Sequence, residues 1–240
     1  MVFRLDGQTI LITGAAGGIG KQTAVVCATL GANVVLADRQ APTDVADFLT
    51  SQGYAAAAVV FDVTDRVAVE RVINGLPKID AVVANAGYCP WDDWNEAGWD
   101  EIFKQVIDIN LLGLMHLTRA ALARMAELGK GRIVIVSSVA ARVGGLAASA
   151  HYVAAKGGTS AFVKWLARRA APLGIAVNSV APGAISTPMT DGQTFDVAGI
   201  PMRRMGEPRE IAMPIAFLCS EGASYMCGAT LDVNGGVYMN

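Results

Sequence analysis

The 240-residue chain has few of the residues from which metal sites and disulfide frameworks are built. It contains four cysteines, none of them in a CxxC pair, and only two histidines. Zinc sites need clustered cysteine and histidine ligands, and disulfide frameworks need several cysteines at short spacing. We therefore expect no metal and reduced thiols, which favours the cytoplasm as the default location.

Charge and long apolar runs are also scarce. Basic and acidic residues number 19 and 21, and the sequence lacks any long run of Lys or Arg. Nucleic-acid binding needs a basic surface, so no nucleic-acid partner is expected. The start, "MVFRLDGQTILITG", leads into a strand-like segment instead of a signal sequence, and no uninterrupted apolar run approaches the length of a membrane span. We expect no membrane partner.

The sequence is rich in short apolar runs that alternate with alanine-rich helical segments. Because these runs lack polar alternation, they are typical of strands in a parallel sheet covered on both faces. The predicted fold is a single α/β domain over residues 1–240, a doubly wound, seven-stranded parallel sheet flanked by helices. The runs are TILIT, NVVLAD, AAVVFDV, DAVVANAG, RIVIVSS, IAVNSVAPG and ATLDVNGG.

One irregular connection interrupts this alternation. It runs from Pro182 to Pro201, after the sixth predicted strand and before a predicted helix. Long connections at the carboxyl ends of parallel strands commonly cover ligands. We predict a short substrate lid at about residues 183–201.

A glycine-rich stretch lies between the first predicted strand and the first predicted helix. In "ILITGAAGGIG", Gly14 would make the tight turn, Gly18 would let the backbone approach a pyrophosphate, and Gly20 would allow close helix packing. The free N–H groups of the helix N-terminus would bind the anion. The alternative is a glycine turn with a packing role only.

An acidic residue ends the second predicted strand. Asp38 follows Gly20 at close to the separation of about 20 residues expected for a carboxylate that binds an adenosine ribose. A carboxylate there repels a 2′-phosphate, whereas Arg39 could receive one but has no second basic group to help it. The sequence therefore favours NAD over NADP.

Tyr152 and Lys156 stand four residues apart in "SAHYVAAKGG". Residues at this spacing share one face of a helix, so the phenol and the ammonium can approach the same point. Alone, such a pair is more often found on a solvated helix surface. An adjacent ammonium favours the phenolate, so we expect Lys156 to lower the pKa of Tyr152.

These motifs occur in a recognisable order: "TGAAGGIG", "NAG" at 85–87, "SS" at 137–138, "YVAAK" at 152–156 and "PGAIST" at 182–187. Over nearly its whole length the chain resembles the classical short-chain dehydrogenases/reductases. The resemblance implies a Rossmann-type fold and hydride transfer between a nicotinamide and an alcohol or carbonyl carbon. It further implies that Tyr152 is the general acid or base, that Ser138 orients the substrate oxygen, and that Lys156 holds the nicotinamide ribose.

The resemblance also implies a proton relay and a set of cofactor contacts. Asn110 would distort its helix and position a water that links the lysine to solvent, although an asparagine satisfied by neighbouring backbone would look the same in sequence. Asp62 would face the adenine, or else cap the next helix together with Thr64 and Asp65. The cofactor residues are Gly14, Gly18, Ile19, Gly20, Asp38, Arg39, Asp62, Val63, Asn85, Ala86, Gly87, Tyr152, Lys156, Pro182, Gly183, Ile185 and Thr187.

Both histidines are interpreted as bystanders. Neighbouring helical residues point about 100° apart, so His151 should face away from Tyr152 and Lys156, toward a subunit contact. His116 lies in an apolar helix and is interpreted as a packing or interface residue. The family commonly forms homotetramers through the helices near Asn110–Glu127 and Ala150–Ala171, and we expect the same here.

The expected substrate is a small or medium, largely apolar secondary alcohol or ketone. The candidate pocket residues are Tyr88, Trp91, Val139, Ala140, Arg142, Val143, Leu146, Ala184, Met189 and Phe195, where Arg142 could bind a carboxylate or be a solvated loop residue. One alternative is a reductase of 3-oxoacyl groups on acyl carrier protein that uses NADPH, since "VNGGVYM" resembles those enzymes. Another is a redox sensor that binds NAD(H) without turnover.

Overall fold

Seven parallel strands form one sheet in the computed structural model, which describes residues 3–145 and 148–240. The order across the sheet is β3-β2-β1-β4-β5-β6-β7, so the winding reverses between β1 and β4. The predicted doubly wound Rossmann-type fold is therefore confirmed as one domain. The strands are β1 (Thr9–Thr13), β2 (Asn33–Asp38), β3 (Ala56–Val60), β4 (Ala81–Ala84), β5 (Gly131–Val136), β6 (Ile175–Pro182) and β7 (Thr230–Val233).

Helices cover both faces of this sheet. The side chains of a strand alternate between faces, so Ile10 and Ile12 of β1 join one buried cluster and Leu11 joins the other. Helices α1 and α8 pack on the first face, and α3, α5 and α7 on the second. The α-helices are α1 (Gly18–Thr29), α2 (Thr43–Ser51), α3 (Arg66–Gly75), α4 (Trp99–Ile107), α5 (Leu114–Leu128), α6 (Ala140–Val143), α7 (Ala150–Ala170) and α8 (Pro208–Cys219).

The core explains why the strand sequences lack polar alternation. Ile10, Leu11 and Ile12 are each 0 % exposed, so consecutive residues of β1 are buried on opposite faces. Burial of one such side chain contributes about 1.5–3 kcal/mol before the conformational entropy of folding is counted. This packing fixes the carboxyl ends of the strands, where the predicted site residues lie.

The stretch Trp99–Leu128 consists of α4, a π-helical turn at Asp108–Gly113, and α5. The whole stretch Trp99–Leu128 is long and apolar enough to cross a membrane, and 44 % of its most apolar window is buried within the fold. The expectation that no uninterrupted apolar run has this length is not contradicted, because charged residues interrupt this stretch. Core helices of globular proteins have the same property, and α5 packs against the sheet.

Two connections differ from the sequence prediction. Helix α6, a single turn after β5, was not predicted. The segment 183–201, called the lid segment from here on, contains two short 3₁₀ turns, Pro188–Thr190 and Val197–Gly199. A β-bridge between Ile185 and Gly206 ties the start of the lid segment to the residues that follow it.

Candidate active site

The glycine-rich turn lies at the carboxyl end of β1 and begins α1. Gly14 has φ +66°, a left-handed conformation that glycine adopts at little cost. A Cβ on Gly20 would come within 2.0 Å of the Gly14 carbonyl oxygen, so only glycine fits there. No side chain caps the N-terminus of α1 at Gly17. Its first N–H groups are therefore available to an anion, as the glycine spacing predicted.

The neighbouring strand β4 is clamped to this turn through Asn85. The Asn85 side chain donates to the carbonyl oxygens of Thr13, at 2.9 Å, and Gly14, at 3.2 Å. In return, the Thr13 hydroxyl accepts hydrogen bonds from the backbone N–H groups of Asn85 and Ala86. "NAG" at 85–87 thus lies beside the glycine turn at the point where the winding of the sheet reverses.

Asp38 ends β2 directly over the glycine turn. Its Oδ2 accepts a hydrogen bond from the Ala16 N–H at 3.1 Å, which fixes the carboxylate beside the turn. Arg39 is exposed. Within residues 3–145 and 148–240, Arg39 forms no salt bridge.

Asp62 and Val63 follow β3 on the same edge of the sheet. The carboxylate Oδ1 of Asp62 accepts from both the N–H and the hydroxyl of Thr64, at 2.8 and 2.7 Å. Asp65, not Asp62, caps α3, because its Oδ1 accepts the first free N–H groups of that helix. The alternative in which Asp62 serves as the cap is therefore wrong. The Val63 carbonyl oxygen lies 3.3 Å from Nδ1 of His116, on α5.

A cavity of about 460 Å³ opens beside these residues and brings most of the predicted site together. Its walls come from the ends of β4, β5 and β6, the start of α7 and the lid segment. Of the predicted residues, those lining it are Ile19, Asn85, Gly87, Trp91, Ser138, Val139, Ala140, Val143, Tyr152, Lys156, Pro182, Gly183, Ala184, Ile185, Thr187, Met189 and Phe195. Leu146 lies outside the described residues.

Tyr152 and Ser138 both line this cavity, close enough to share a hydrogen bond. Burial raises the pKa of Tyr152, the nearby Cys89 thiol raises it further, and a hydrogen bond with Ser138 lowers it. The expected lowering of this pKa by Lys156 is therefore wrong for the protein alone, because removing the phenolate from water outweighs the other effects. The phenol is held in its protonated form.

Lys156 lies one turn further along α7 and is 5 % exposed. Its Nζ donates to the Val136 carbonyl oxygen at 3.0 Å and lies 5.5 Å from the centroid of the Tyr152 ring. Burial lowers the pKa of Lys156 to about 8. Desolvation therefore shifts both groups of the pair toward their neutral forms, the phenol and the amine.

Asn110 lies in the π-helical turn between α4 and α5, as the expected helix distortion requires. Its side chain donates to the carbonyl oxygens of Tyr88, at 2.8 Å, and Val106, at 3.0 Å. Its Oδ1 accepts the Tyr88 N–H at 3.2 Å. The amide is thus satisfied by backbone groups, and it also borders a cavity of about 10 Å³ that Lys156 lines.

Two predicted pocket residues lie elsewhere. Arg142 forms a salt bridge to Asp232, with Nε 3.2 Å from Oδ1, and its guanidinium lies over the Tyr238 ring. These partners belong to the C-terminal segment, so Arg142 joins α6 to β7 and does not line the cavity. Tyr88 is also absent from the described walls, and its backbone N–H and carbonyl are hydrogen-bonded to Asn110.

His151 differs from the prediction in its surroundings. It does not line the cavity, but it is 1 % exposed within the chain and is therefore not a surface contact for another subunit. Its Nε2 lies 3.0 Å from Asp92 Oδ2, and its Nδ1 lies 3.1 Å from Ser149 Oγ. The isolated histidine gave no signal of this pairing, because Asp92 lies 59 residues away in sequence.

Other residues of the cavity were also missed from the sequence. They are Cys89, Val136, Ser137, Gly145, Ala148, Thr190, Thr194, Asp196, Gly199, Ile200 and Val237. Cys89 is buried, and burial raises the pKa of its thiol. Only the position of Cys89 two residues after "NAG" could have signalled that it lies in the cavity.

The residues present fit a dinucleotide. The uncapped start of α1 offers N–H groups for a pyrophosphate, and the contact between Gly14 and Gly20 leaves no side chain in that turn. Asp38 is fixed beside the glycine turn. The cavity is lined by Ile19, which follows that turn, and by Tyr152. A proton donor, a buried amine and a hydroxyl on the wall of one cavity can serve acid–base chemistry on a bound molecule.

The chain is similar in sequence to known oxidoreductases. A family model described as enoyl-(acyl carrier protein) reductase matches residues 14–238. The 3-oxoacyl-(acyl-carrier-protein) reductase FabG of Vibrio cholerae is 37 % identical, over 98 % of this chain and 99 % of the relative. The cis-4-hydroxycyclohexanecarboxylate dehydrogenase of Sinomonas cyclohexanicum is 40 % identical, over 95 % of this chain and 96 % of the relative.

A solved structure shows the same fold throughout. It is that of a proposed NAD(P)-dependent gluconate 5-dehydrogenase from Beutenbergia cavernae, with NADP bound at low occupancy. The two chains superpose with a TM-score of 0.93 at 32 % identity, and 99 % of each chain is covered.

Proposed function

The chain is an oxidoreductase of the short-chain dehydrogenase/reductase family, and from that premise we propose that it is NAD-dependent and acts on secondary alcohols or ketones. The proposed substrates are small or medium-sized and largely apolar. The observation that carries the proposal is that Tyr152, Ser138 and Lys156 line one cavity together with Ile19, which follows the glycine turn.

Tyr152 is the proposed acid and base. When bound, the nicotinamide supplies or accepts the hydride. In the reducing direction, the phenol donates its proton to the substrate oxygen while the Ser138 hydroxyl donates a hydrogen bond to the same oxygen. Because burial keeps the phenol protonated, the protein alone is prepared for reduction. In the oxidising direction, the tyrosine needs additional positive charge nearby to act as a base.

Lys156 and Asn110 form the proposed proton route away from Tyr152. Lys156 lines both the large cavity and the small one beside Asn110. The small cavity, about 10 Å³, is near the lower limit of about 10–15 Å³ for one water. A water there would connect the amine to the π-helical turn, so a proton lost by Tyr152 could be replaced through Lys156.

The proposed preference for NAD depends on Asp38. Its carboxylate is fixed by the Ala16 N–H beside the glycine turn, where a 2′-phosphate would bring two negative charges together. The relative from Beutenbergia cavernae is described as using NAD or NADP, so similarity alone does not decide between the two cofactors. Arg39 is the residue that could accommodate a phosphate if it turned inward.

The proposed substrate carries no negative charge. Lys156 and Asp196 are the charged side chains among the described residues of the cavity wall, and Lys156 belongs to the catalytic pair. Arg142, the predicted partner for a carboxylate, is engaged by Asp232. Apolar residues supply much of the remaining wall, among them Val143, Met189 and Ile200.

Turnover with a substrate panel tests the proposal. The purified protein is mixed with NAD and neutral secondary alcohols, and with NADH and the matching ketones, while absorbance of NADH is followed. Turnover of 3-oxoacyl groups on acyl carrier protein with NADPH, and of nothing else, would favour the alternative reductase. Binding of NAD without turnover of any panel member would favour the redox sensor.

Tyr152→Phe tests the acid–base role. General acid–base catalysis contributes about 10²–10⁴-fold, so turnover should fall by that factor while NAD still binds. Tyr225→Phe is the matched control, because Tyr225 is fully exposed and lies outside the cavity. Retained turnover in Tyr152→Phe would overturn the role.

The assembly and the location are part of the same proposal. A homotetramer is supported by exposed apolar side chains on the helical segments expected to meet, namely Leu112, Met115 and Trp165. Light scattering tests this, and a monomeric mass would overturn it. The cytoplasm remains the proposed location, and fractionation of cells that make the protein would test it.

A further inference from the structure

Trp91 contacts the lid segment in two ways. Its indole Nε1 donates a hydrogen bond to the Met189 carbonyl oxygen at 2.8 Å. Its ring meets that of Phe195 edge to face, with the centroids 5.6 Å apart and the planes at 82°. All three residues line the large cavity. One side chain from the loop after β4 thus contacts the lid segment at two points, Met189 in its first turn and Phe195 before its second.

The backbone of Trp91 is in an unusual conformation. Its φ is +62°, which large side chains rarely adopt. Such conformations persist when the surrounding structure holds them in place. Asp92, the residue after Trp91, supplies this restraint, because a hydrogen bond joins it to a buried side chain on α7, that of His151.

His151 is the buried residue that directly precedes Tyr152. His151 Nε2 donates to Asp92 Oδ2 at 3.0 Å, and its Nδ1 pairs with the Ser149 hydroxyl at 3.1 Å. The imidazole stacks on the Trp99 ring, with the centroids 5.4 Å apart and the planes at 12°. Both ring nitrogens and one ring face are therefore engaged, which fixes the orientation of the imidazole.

The His151–Asp92 pair is joined by one peptide bond to Tyr152 and by another to Trp91. His151 is covalently next to Tyr152 on α7, and Asp92 is covalently next to Trp91. The His151–Asp92 pair therefore links the start of the helix that bears the proposed proton donor to the residue that holds the lid segment.

We propose that Trp91 determines substrate specificity by fixing the lid segment over the cavity, and that the buried Asp92–His151 pair positions Trp91. The specificity part rests on the proposed function, whereas the anchoring of the lid segment does not. Trp91 and Phe195 together bound the lid side of the cavity. Their contact therefore limits the width of the substrate.

Hydrogen–deuterium exchange tests the anchor without any substrate. Trp91→Phe keeps the ring but removes the N–H, and Asp92→Ala removes the acceptor of His151. Both should speed exchange in residues 188–200 at least fivefold. Asp92→Asn keeps an oxygen acceptor and should stay close to the unmodified protein. The matched control is Trp94→Phe, which changes an exposed tryptophan in the same loop.

Unchanged exchange in Trp91→Phe, or an equal effect of Trp94→Phe, would overturn the anchor. If Asp92→Ala fails to fold, His151→Gln replaces it, since its amide can still donate to Asp92 but lacks the stacking and the second nitrogen. That variant should give exchange between the unmodified protein and Trp91→Phe. Exchange as slow as in the unmodified protein would contradict a positioning role for His151.

Kinetics test the specificity. Trp91→Phe should raise KM at least fivefold with kcat within twofold, because it loosens the substrate wall without moving Tyr152. Trp91→Ala should shift the kcat/KM ratio of a bulky to a slim ketone at least tenfold toward the bulky one. NAD binding should stay unchanged in both. An unchanged ratio would overturn the specificity role, and absence of turnover in the unmodified protein would instead reject the proposed function.

Discussion

The Nζ of Lys156 lies 5.5 Å from the centroid of the Tyr152 ring. Burial disfavours the charged form of each group, the phenolate of Tyr152 and the ammonium of Lys156. The pKa of Tyr152 is raised, and that of Lys156 is lowered to about 8 from its ordinary 10.5. Desolvation is the largest cause in both cases. Burial therefore disfavours the phenolate and the ammonium alike, but at pH 7 the amine, with a pKa of about 8, still carries its proton.

The lowered pKa of Lys156 predicts a pH dependence of stability. Between about pH 8 and 10.5 the unfolded chain binds a proton at this residue that the folded chain has released. The contribution of Lys156 to the free energy of unfolding should therefore increase as pH rises through this window. Lys156→Met should remove that increase and raise the free energy of unfolding at pH 7, measured by urea titration at pH 7, 8, 9 and 10.

Lys164→Met is the control for this measurement. Lys164 is an exposed lysine on the same helix, α7. Its variant should follow the unmodified protein at every pH, since this side chain is in contact with water in the folded chain as well. If the free energy of unfolding of Lys156→Met varied with pH in parallel with that of the unmodified protein, the buried amine would not titrate in this window.

The carboxylate of Asp38 predicts the cofactor choice. Asp38→Asn keeps an oxygen that can accept from the Ala16 N–H but removes the charge that repels a 2′-phosphate. The Kd for NADP should fall at least about tenfold, equivalent to about 1.4 kcal/mol, while that for NAD changes less. Calorimetric titration measures both. Asp47→Asn, on the exposed face of α2, should change neither. An unchanged Kd for NADP would assign the selectivity to another residue.

The sequence predicted those parts of the site that local motifs encode. The strand–glycine–helix turn needs only adjacent residues, and Tyr152 and Lys156 meet because a helix brings positions four apart together. Arg142 and His151 were interpreted wrongly because their partners, Asp232 and Asp92, lie 90 and 59 residues away. The residues next to Arg142 and His151 in sequence do not indicate which charged side chain the fold brings beside them.

The Arg142–Asp232 salt bridge predicts a structural effect of substitution. Both side chains are less than 20 % exposed, and removing one partner leaves the other charge partly buried. Arg142→Gln should lower the free energy of unfolding by about 1–3 kcal/mol, and the double variant Arg142→Gln, Asp232→Asn should recover part of it. Urea unfolding measures both. The ratio of kcat/KM for a carboxylate-bearing to a neutral ketone should not change, and a selective loss with the carboxylate would restore a substrate role.

Asn110 connects two parts of the chain that the proposed proton route needs. Its amide makes three hydrogen bonds, two to the backbone of Tyr88 and one to the Val106 carbonyl oxygen. Asn110→Ala leaves the Tyr88 N–H and carbonyl without this partner, so we expect a loss of about 3 kcal/mol in the free energy of unfolding. Asn95→Ala, at an exposed asparagine of the preceding loop, should stay within about 0.5 kcal/mol.

Asn110→Ala also distinguishes a residue that only anchors Tyr88 from one that takes part in proton transfer. If Asn110 only anchors Tyr88, Asn110→Ala should lose stability while kcat at a temperature well below unfolding stays within twofold. If it also holds the relay, kcat should fall at least tenfold and its solvent isotope effect should grow, because replacing the proton at Lys156 becomes slower. We expect the second result, since Asn110 and Lys156 line the same cavity of about 10 Å³ and the side chain removed is part of its wall. An unchanged kcat with an unchanged isotope effect would reject the relay and leave the anchor.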